Sequence, residues 1–183
     1  TKTEVTEFSG RGVGMDVVSR NIQSIGGTVI VDSTHGEGTG VSIRIPLTLA
    51  IIDGMIVKVG SNIFTIPTVS IKESFRTAED SIITDPFGNE MILIRGECYP
   101  VMRLYKHYGI DTEITCMQDG ITIMLENGSR WLCIFADELL GEQQVVVKPL
   151  PVYLQKVKGL GGCTLLGDGS ISLILDVAGL FDS

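Results

Sequence analysis

The chain has 183 residues, 44% of them hydrophobic and 20% charged, which is typical of a soluble globular protein with one ordinary domain or two small ones. Its net charge of −8 and the absence of any Lys/Arg cluster argue against nucleic-acid binding, because such binders displace counterions from phosphates with clustered cations. The longest apolar stretch is interrupted by Asp53 and Lys58 before it reaches the ~18 residues of a membrane span, and no signal peptide precedes it.

The first residue is Thr rather than Met, which predicts a piece of a longer protein. Residues 9–27, SGRGVGMDVVSRNIQSIGG, combine alternate glycines with a helical pattern. Met15, Val18 and Ile22 recur at helical spacing, so they predict one apolar helix face. The glycine pair that follows can adopt positive φ and end the helix. This stretch therefore predicts a loop followed by a helix.

Short strands are predicted for the rest of the chain. Residues 28–33 and 41–46 form a hairpin around a turn-rich segment, and nine further short strands recur between Gly, Asn, Asp and Pro turns. Regularly spaced short strands are typical of small barrels or a sandwich. The change from a helix and hairpin to repeated short strands predicts two domains, residues 1–48 and residues 49–183.

The glycine loop is a candidate phosphate site. Gly10, Gly12 and Gly14 have no Cβ, so their backbone can approach a ligand closely, and the helix N-terminus that follows attracts anions. The same triplet can equally form a flexible turn. It matches neither the dinucleotide fingerprint nor a P-loop, because it lacks a clear preceding strand and a Gly-Lys-Ser/Thr end.

The remaining reactive residues predict no catalytic or metal centre. The four cysteines contain no Cys-x-x-Cys pair and lie in apolar settings, so we expect small buried side chains, with zinc or disulfide roles as the alternatives. His35 and His107 are expected to be surface imidazoles. The adjacent carboxylates Glu79-Asp80 and Asp137-Glu138 are expected to be solvated.

Five separated stretches resemble the bacterial chemotaxis histidine kinase family CheA. SGRGVGMDVV is similar to the family's second glycine box, and GEGTGVSIRIPL to the hairpin that closes its ATP-binding domain. IRGECYPVMRL, LLGEQQVVVKPL and GCTLLGDGSISLILDVAGL resemble the family's regulatory domain, which is related to the adaptor CheW. The resemblance covers nearly the whole chain.

The resemblance implies a mainly β fold. Two SH3-like β-barrels of five strands each, intertwined so that the chain ends and the middle mix, would follow a helix-plus-hairpin remnant of a GHKL-type α/β ATPase domain. It implies a regulatory and scaffolding role that couples the kinase to the CheW adaptor and to the cytoplasmic tip of chemoreceptors. The location implied is the cytoplasm, in arrays attached to the membrane through receptors, with no direct membrane insertion.

The resemblance also implies ATP and Mg²⁺ as cofactors of the full-length parent, which phosphorylates a histidine. Gly10, Gly12 and Gly14 would meet the ATP phosphates, and Thr39 would lie near the adenine pocket. The rest of that ATP site and the phospho-acceptor histidine would lie outside this sequence, so we predict that this chain alone binds no ATP. The alternatives are a competent ATP-dependent histidine kinase and a free-standing adaptor of the CheW type.

Overall fold

A computed structural model describes residues 14–24, 27–36, 38–45, 50–78 and 81–182. The chain divides into two compact units, Thr1–Leu49 and Ala50–Ser183.

The first unit contains one helix and one hairpin, as the sequence predicts. Helix α1 (Met15–Ser24) precedes strands β1 (Thr28–Thr34) and β2 (Gly38–Arg44), which pair antiparallel. The Gly27 amide donates to the Ile22 carbonyl at 2.8 Å and so closes the end of α1. A Cβ on Gly27 would lie 2.7 Å from the Arg44 carbonyl oxygen, so only glycine lets the helix end approach the hairpin this closely.

The second unit is built mainly from β-strands. Its elements are β3 (Ile51–Val59), β4 (Asn62–Pro67), β5 (Ile71–Phe75), β6 (Ile82–Thr84), β7 (Glu90–Ile94), β8 (Glu97–Arg103), α2 (Leu104–Tyr108), β9 (Ile121–Asn127), β10 (Arg130–Ala136), β11 (Glu138–Val146), β12 (Leu160–Leu165), β13 (Ile171–Leu175) and α3 (Val177–Leu180). The nine predicted strands all appear among these. The sequence did not predict β5 and β6.

These strands form two sheets that repeat one arrangement. The first sheet has the order β5-β9-β10-β8-β7-β6 and the second the order β11-β3-β4-β13-β12. In each, antiparallel pairs flank one parallel pair, β8 with β10 in the first sheet and β13 with β4 in the second, and β8 and β13 each lead into a short helix. We call these sheets the first and second barrels. The predicted intertwining is confirmed, since the second barrel joins strands from both ends of the unit, while the first has six strands rather than five because β6 extends its edge.

The largest apolar cluster lies between the two barrels. Alternate residues of the central strands enter it, whereas Ile56, Met124 and Cys133, one position along, face smaller clusters inside the individual barrels. We call this shared cluster the joint; its buried members are Met55, Val57, Val59, Phe64, Ile66, Leu104, Ile123, Leu125, Leu132, Ile134, Ala136, Leu175, Val177 and Leu180. Because both barrels supply its side chains, the joint fixes one barrel against the other.

Candidate functional site

Two of the four predicted nucleotide-binding residues, Gly10 and Gly12, lie outside the described residues. Gly14 directly precedes α1, and its carbonyl accepts from the Val17 amide at 3.2 Å. Thr39 lies on β2, where its hydroxyl is 2.8 Å from that of Ser33. Within the described part of the chain, no hydrogen bond links Gly14 to Thr39. The assignment of these residues to ATP stays a prediction.

The first unit leaves a large share of its apolar side chains exposed. The exposed set is Met15, Val17, Val18, Ile30, Val31, Val41, Ile43 and Ile45. Both the helix and the hairpin contribute to it, so neither element completes a core with the other. An exposed apolar surface of this extent is typical of a surface that another segment or protein covers.

A second apolar surface lies on the outer side of β6, β7 and β8. Ile83 pairs with Met91, and Met91 pairs with Pro100, so these three residues share one face of the sheet. Ile83 and Leu93 are each 45% exposed. The alternate residues, such as Ile92, face the cluster inside the first barrel. We call this surface, Ile83, Met91, Leu93 and Pro100, the first outer face.

The turn between β6 and β7 is ordered by one carboxylate. Asp85 accepts from the amides of Phe87 and Asn89 and from the Asn89 side chain, each at 2.8 Å. The Asn89 bonds lower the pKa of Asp85, which stays ionised. This turn presents Phe87, 90% exposed, beyond the end of the first outer face.

A charged cluster lies at the base of the same turn. Arg103 Nε donates to Glu90 Oε2 at 2.5 Å, and Lys106 Nζ is 3.7 Å from Glu90 Oε1. Burial raises the pKa of Glu90, but the hydrogen bond and charge of Arg103, helped by Lys106, outweigh burial and hold the pKa below its ordinary value. Glu90 is therefore ionised at neutral pH.

The second barrel presents a comparable surface on its hairpin of β12 and β13. Leu165 and Ile171 are cross-strand partners and are 57% and 66% exposed. Asp168 accepts from the amide and the hydroxyl of Ser170 in the connecting turn, and these bonds lower its pKa. This second outer face, Leu165 with Ile171, occupies the position in its barrel that β7 and β8 occupy in the first.

A polar cleft of about 710 Å³ opens beside the turn between β3 and β4. Asp137 lies in it, and its Oδ2 accepts from the Gly60 amide at 2.7 Å and from the Thr112 hydroxyl. The prediction that the Asp137-Glu138 pair is solvated surface is therefore wrong for Asp137, which ties the two barrels together. Glu138 is exposed, and Glu79-Asp80 lies outside the described residues.

A groove of about 430 Å³ with a mixed polar and apolar lining runs past α2. Tyr108 stacks on Phe64 with ring centroids 5.3 Å apart, and its hydroxyl donates to the Gly159 carbonyl at 3.1 Å. Burial raises the pKa of Tyr108, so it remains a donor. His107 packs edge-on against Tyr108 and is half-buried, and burial lowers its pKa, so it is not the surface imidazole expected. His35 is exposed, as expected.

The cysteines lie in three environments. Cys133 is buried, as predicted, and burial raises its pKa to about 12. Cys98 and Cys116 are exposed, so the prediction of burial is wrong for them, and Cys163 is half-buried. All four are free thiols, and no cluster of His, Cys, Asp or Glu in the described ranges could hold a metal ion. No described helix is long and apolar enough to cross a membrane.

Known proteins resemble this chain in both sequence and fold. A family model described as the CheW-like domain matches residues 53–183. The chain is 43% identical over 180 residues to the chemotaxis protein CheA of Salmonella typhimurium, covering 98% of this chain and 27% of that protein. It is 36% identical over 182 residues to the sensor histidine kinase CheAY of Helicobacter pylori, covering 100% of this chain and 22% of that protein.

Among solved structures, the scaffolding protein TtCheW of Thermoanaerobacter tengcongensis superposes with a TM-score of 0.63 at 18% identity. The match covers 72% of this chain and 93% of that one. The chain thus spans about a quarter of the length of the CheA relatives and nearly all of the CheW fold.

Proposed function

Because the chain belongs to the CheW-like domain family, we propose that it is the docking and regulatory part of a chemotaxis histidine kinase. The observation that carries this proposal is the pair of outward apolar hairpins, one on each barrel, around a joint that is already filled. Similarity to CheA proteins over 98% of the chain includes the first unit, which favours a kinase segment over a free-standing adaptor.

The first outer face suits a protein partner. β7 carries apolar side chains on both sides, with Ile92 facing the barrel interior and Leu93 facing out. The barrel core does not use the outward set, so a partner that buries it gains apolar contact without disturbing the fold. We propose that a CheW scaffold binds here.

The second outer face has the same relation to its own barrel. A chain with one such face on each barrel can contact two neighbours, and CheW-like scaffolds with the same fold can alternate with it. The joint makes the two contacts mechanically dependent, because neither barrel can rotate without repacking shared side chains. Receptor tips are the further partner that we propose, with the cytoplasmic side of receptor arrays as the location.

Binding of a purified CheW scaffold tests the docking proposal by calorimetry. Leu93→Asp and Ile171→Asp each place a charge in one outer face. We expect each to raise the dissociation constant about 30-fold, the effect of losing an interface anchor worth ~2 kcal/mol. Val69→Asp is the matched control, because Val69 is also exposed but lies outside both faces. Binding by both face variants with the parent affinity would contradict the proposal.

We propose that the first unit belongs to the ATP-binding domain of the parent kinase. Its exposed helix and hairpin faces support this, since further segments of such a domain would cover them. ATP and Mg²⁺ would be cofactors of the whole kinase, with Gly10, Gly12, Gly14 and Thr39 contributing only part of the site.

Titration of this chain with ATP and Mg²⁺ separates that proposal from a competent kinase. We expect no binding in the micromolar range and no transfer of phosphate. Micromolar binding would instead favour the kinase activity for the chain itself.

A further inference from the structure

The arm formed by β6, β7 and their turn, residues 82–94, packs Ile92 into the cluster inside the first barrel and is hydrogen-bonded to that barrel along a short ladder. β6 pairs with β7 alone, and β7 pairs with β8 from Met91, opposite Pro100, to Ile94. Pro100 has no amide hydrogen to extend the ladder. β8 continues by pairing in parallel with β10 at Val101–Arg103, so Glu90, the first residue of β7, lies beyond the end of the β7–β8 ladder.

Arg103 contacts the arm beyond the end of this ladder. Its Nε donates to Glu90 Oε2 in the arm, and its Nη1 donates to the Thr115 carbonyl, each at 2.5 Å. Its guanidinium carbon lies 5.5 Å from the centroid of the Phe135 ring on β10. The side chain is only 10% exposed. One guanidinium therefore joins the arm, the loop before β9 and the centre of the barrel.

Stability alone is a weak reason for this contact. Removing a guanidinium from water opposes much of the attraction to a single carboxylate, so an apolar side chain could stabilise the same place as well. The planar guanidinium instead holds two acceptors in fixed directions, which lysine cannot do. The contact therefore fixes the orientation of the arm more than it adds to the free energy of folding.

We infer that Arg103 is a positioning residue for docking, which sets the angle of the arm and thereby orients Ile83 and Leu93 toward the partner. The inference rests on the proposed function of the first outer face. Lys106 stays beside Glu90 when Arg103 is changed, so the carboxylate keeps a cationic neighbour.

The test uses Arg103→Gln and Arg103→Lys in the whole chain, with CheW scaffold affinity and amide hydrogen exchange as readouts. We expect Arg103→Gln to raise the dissociation constant about 10-fold. It should also speed amide hydrogen exchange in residues 82–94, while β9 keeps its protection. Arg103→Lys should restore neither the affinity nor the exchange rate, because lysine keeps the charge but lacks the planar set of donors. Arg130→Gln is the control, since it removes an exposed pair with Asp182 and should change neither.

A second variant covers the case in which Arg103→Gln fails to fold. Glu90→Ala removes the acceptor of this contact from the arm side and should produce the same loss of affinity and faster exchange of the arm. Parent-like affinity in whichever of these two variants folds would overturn the inference.

Leu93→Asp distinguishes an error in the role inferred for Arg103 from an error in the proposed docking face. If Leu93→Asp weakens binding while the variants of this contact do not, the docking face stands and the role of Arg103 is wrong. If Leu93→Asp also has no effect, the face itself is wrong and the inference is overturned with it.

Discussion

Leu175→Ala tests whether the joint makes the two barrels one cooperative unit. Leu175 lies on β13 of the second barrel, is 2% exposed, and belongs to the joint together with residues of the first barrel. The substitution removes three carbons at ~0.8 kcal/mol each and leaves a cavity, so we expect a loss of about 3 kcal/mol. With an m-value of about 2 kcal/mol/M in urea, the unfolding midpoint should fall by ~1.5 M.

Trp131, the single tryptophan, makes the assay specific to the other barrel. It lies on β10 of the first barrel, edge-on to Tyr99 at 6.1 Å between ring centroids. Urea unfolding followed by tryptophan fluorescence and by circular dichroism should therefore show the same shift for Leu175→Ala. Ile171→Ala on the same strand is exposed and should change the free energy of unfolding by no more than about 0.5 kcal/mol.

An unchanged fluorescence midpoint for Leu175→Ala would refute the reasoning. It would mean that the first barrel unfolds independently of a side chain supplied by the second. The shared cluster would then be a contact between two separate folding units rather than a common core.

Three further measurements follow from the described contacts. Gly60→Ala should destabilise the fold by about 2 kcal/mol or more in urea, because φ is +55° and a Cβ would lie 2.2 Å from the Asp111 carbonyl oxygen; a parent-like midpoint would argue against this crowding. Native thiol titration at pH 8 should label Cys98 rapidly but Cys133 only after unfolding, and rapid labelling of Cys133 would contradict its burial. The lowered pKa of Glu90 contributes stability above its ordinary pKa of 4.5, lost as the pH falls through the lower folded value; acid titration of Glu90→Gln should lack that loss, and identical acid curves would count against the ion pair.

Local pattern was sufficient for most elements of this fold. Helix α1 and the hairpin of β1 and β2 appear where periodicity and turn residues predict them, because their apolar spacing is set within about ten residues. The edge strand β6 has only three residues, and β5 has three consecutive polar residues between its apolar ends, so neither produces a distinct signal. Strands such as β10 are apolar on both faces, which identifies a strand but not the cluster that each residue enters.

The candidate site was less accessible from sequence. Leu93 and Ile92 are adjacent apolar residues of similar size, so the sequence does not distinguish their roles. Only the pairing of β6, β7 and β8 decides which of them faces out. The sequence placed Asp137 on the surface because its partners, Gly60 and Thr112, lie 77 and 25 residues away. Arg103 gave no signal for the same reason, since its acceptors are 13 and 12 residues away across a strand divergence.

The sequence by itself determined the family and most of the strands, because each depends on residue order within short windows. The tertiary structure alone decided that the largest core lies between the barrels, which apolar side chains remain exposed, and which carboxylates are held. These properties depend on distances between residues far apart in the chain, and such distances exist only after the strands have paired and the two barrels have packed together.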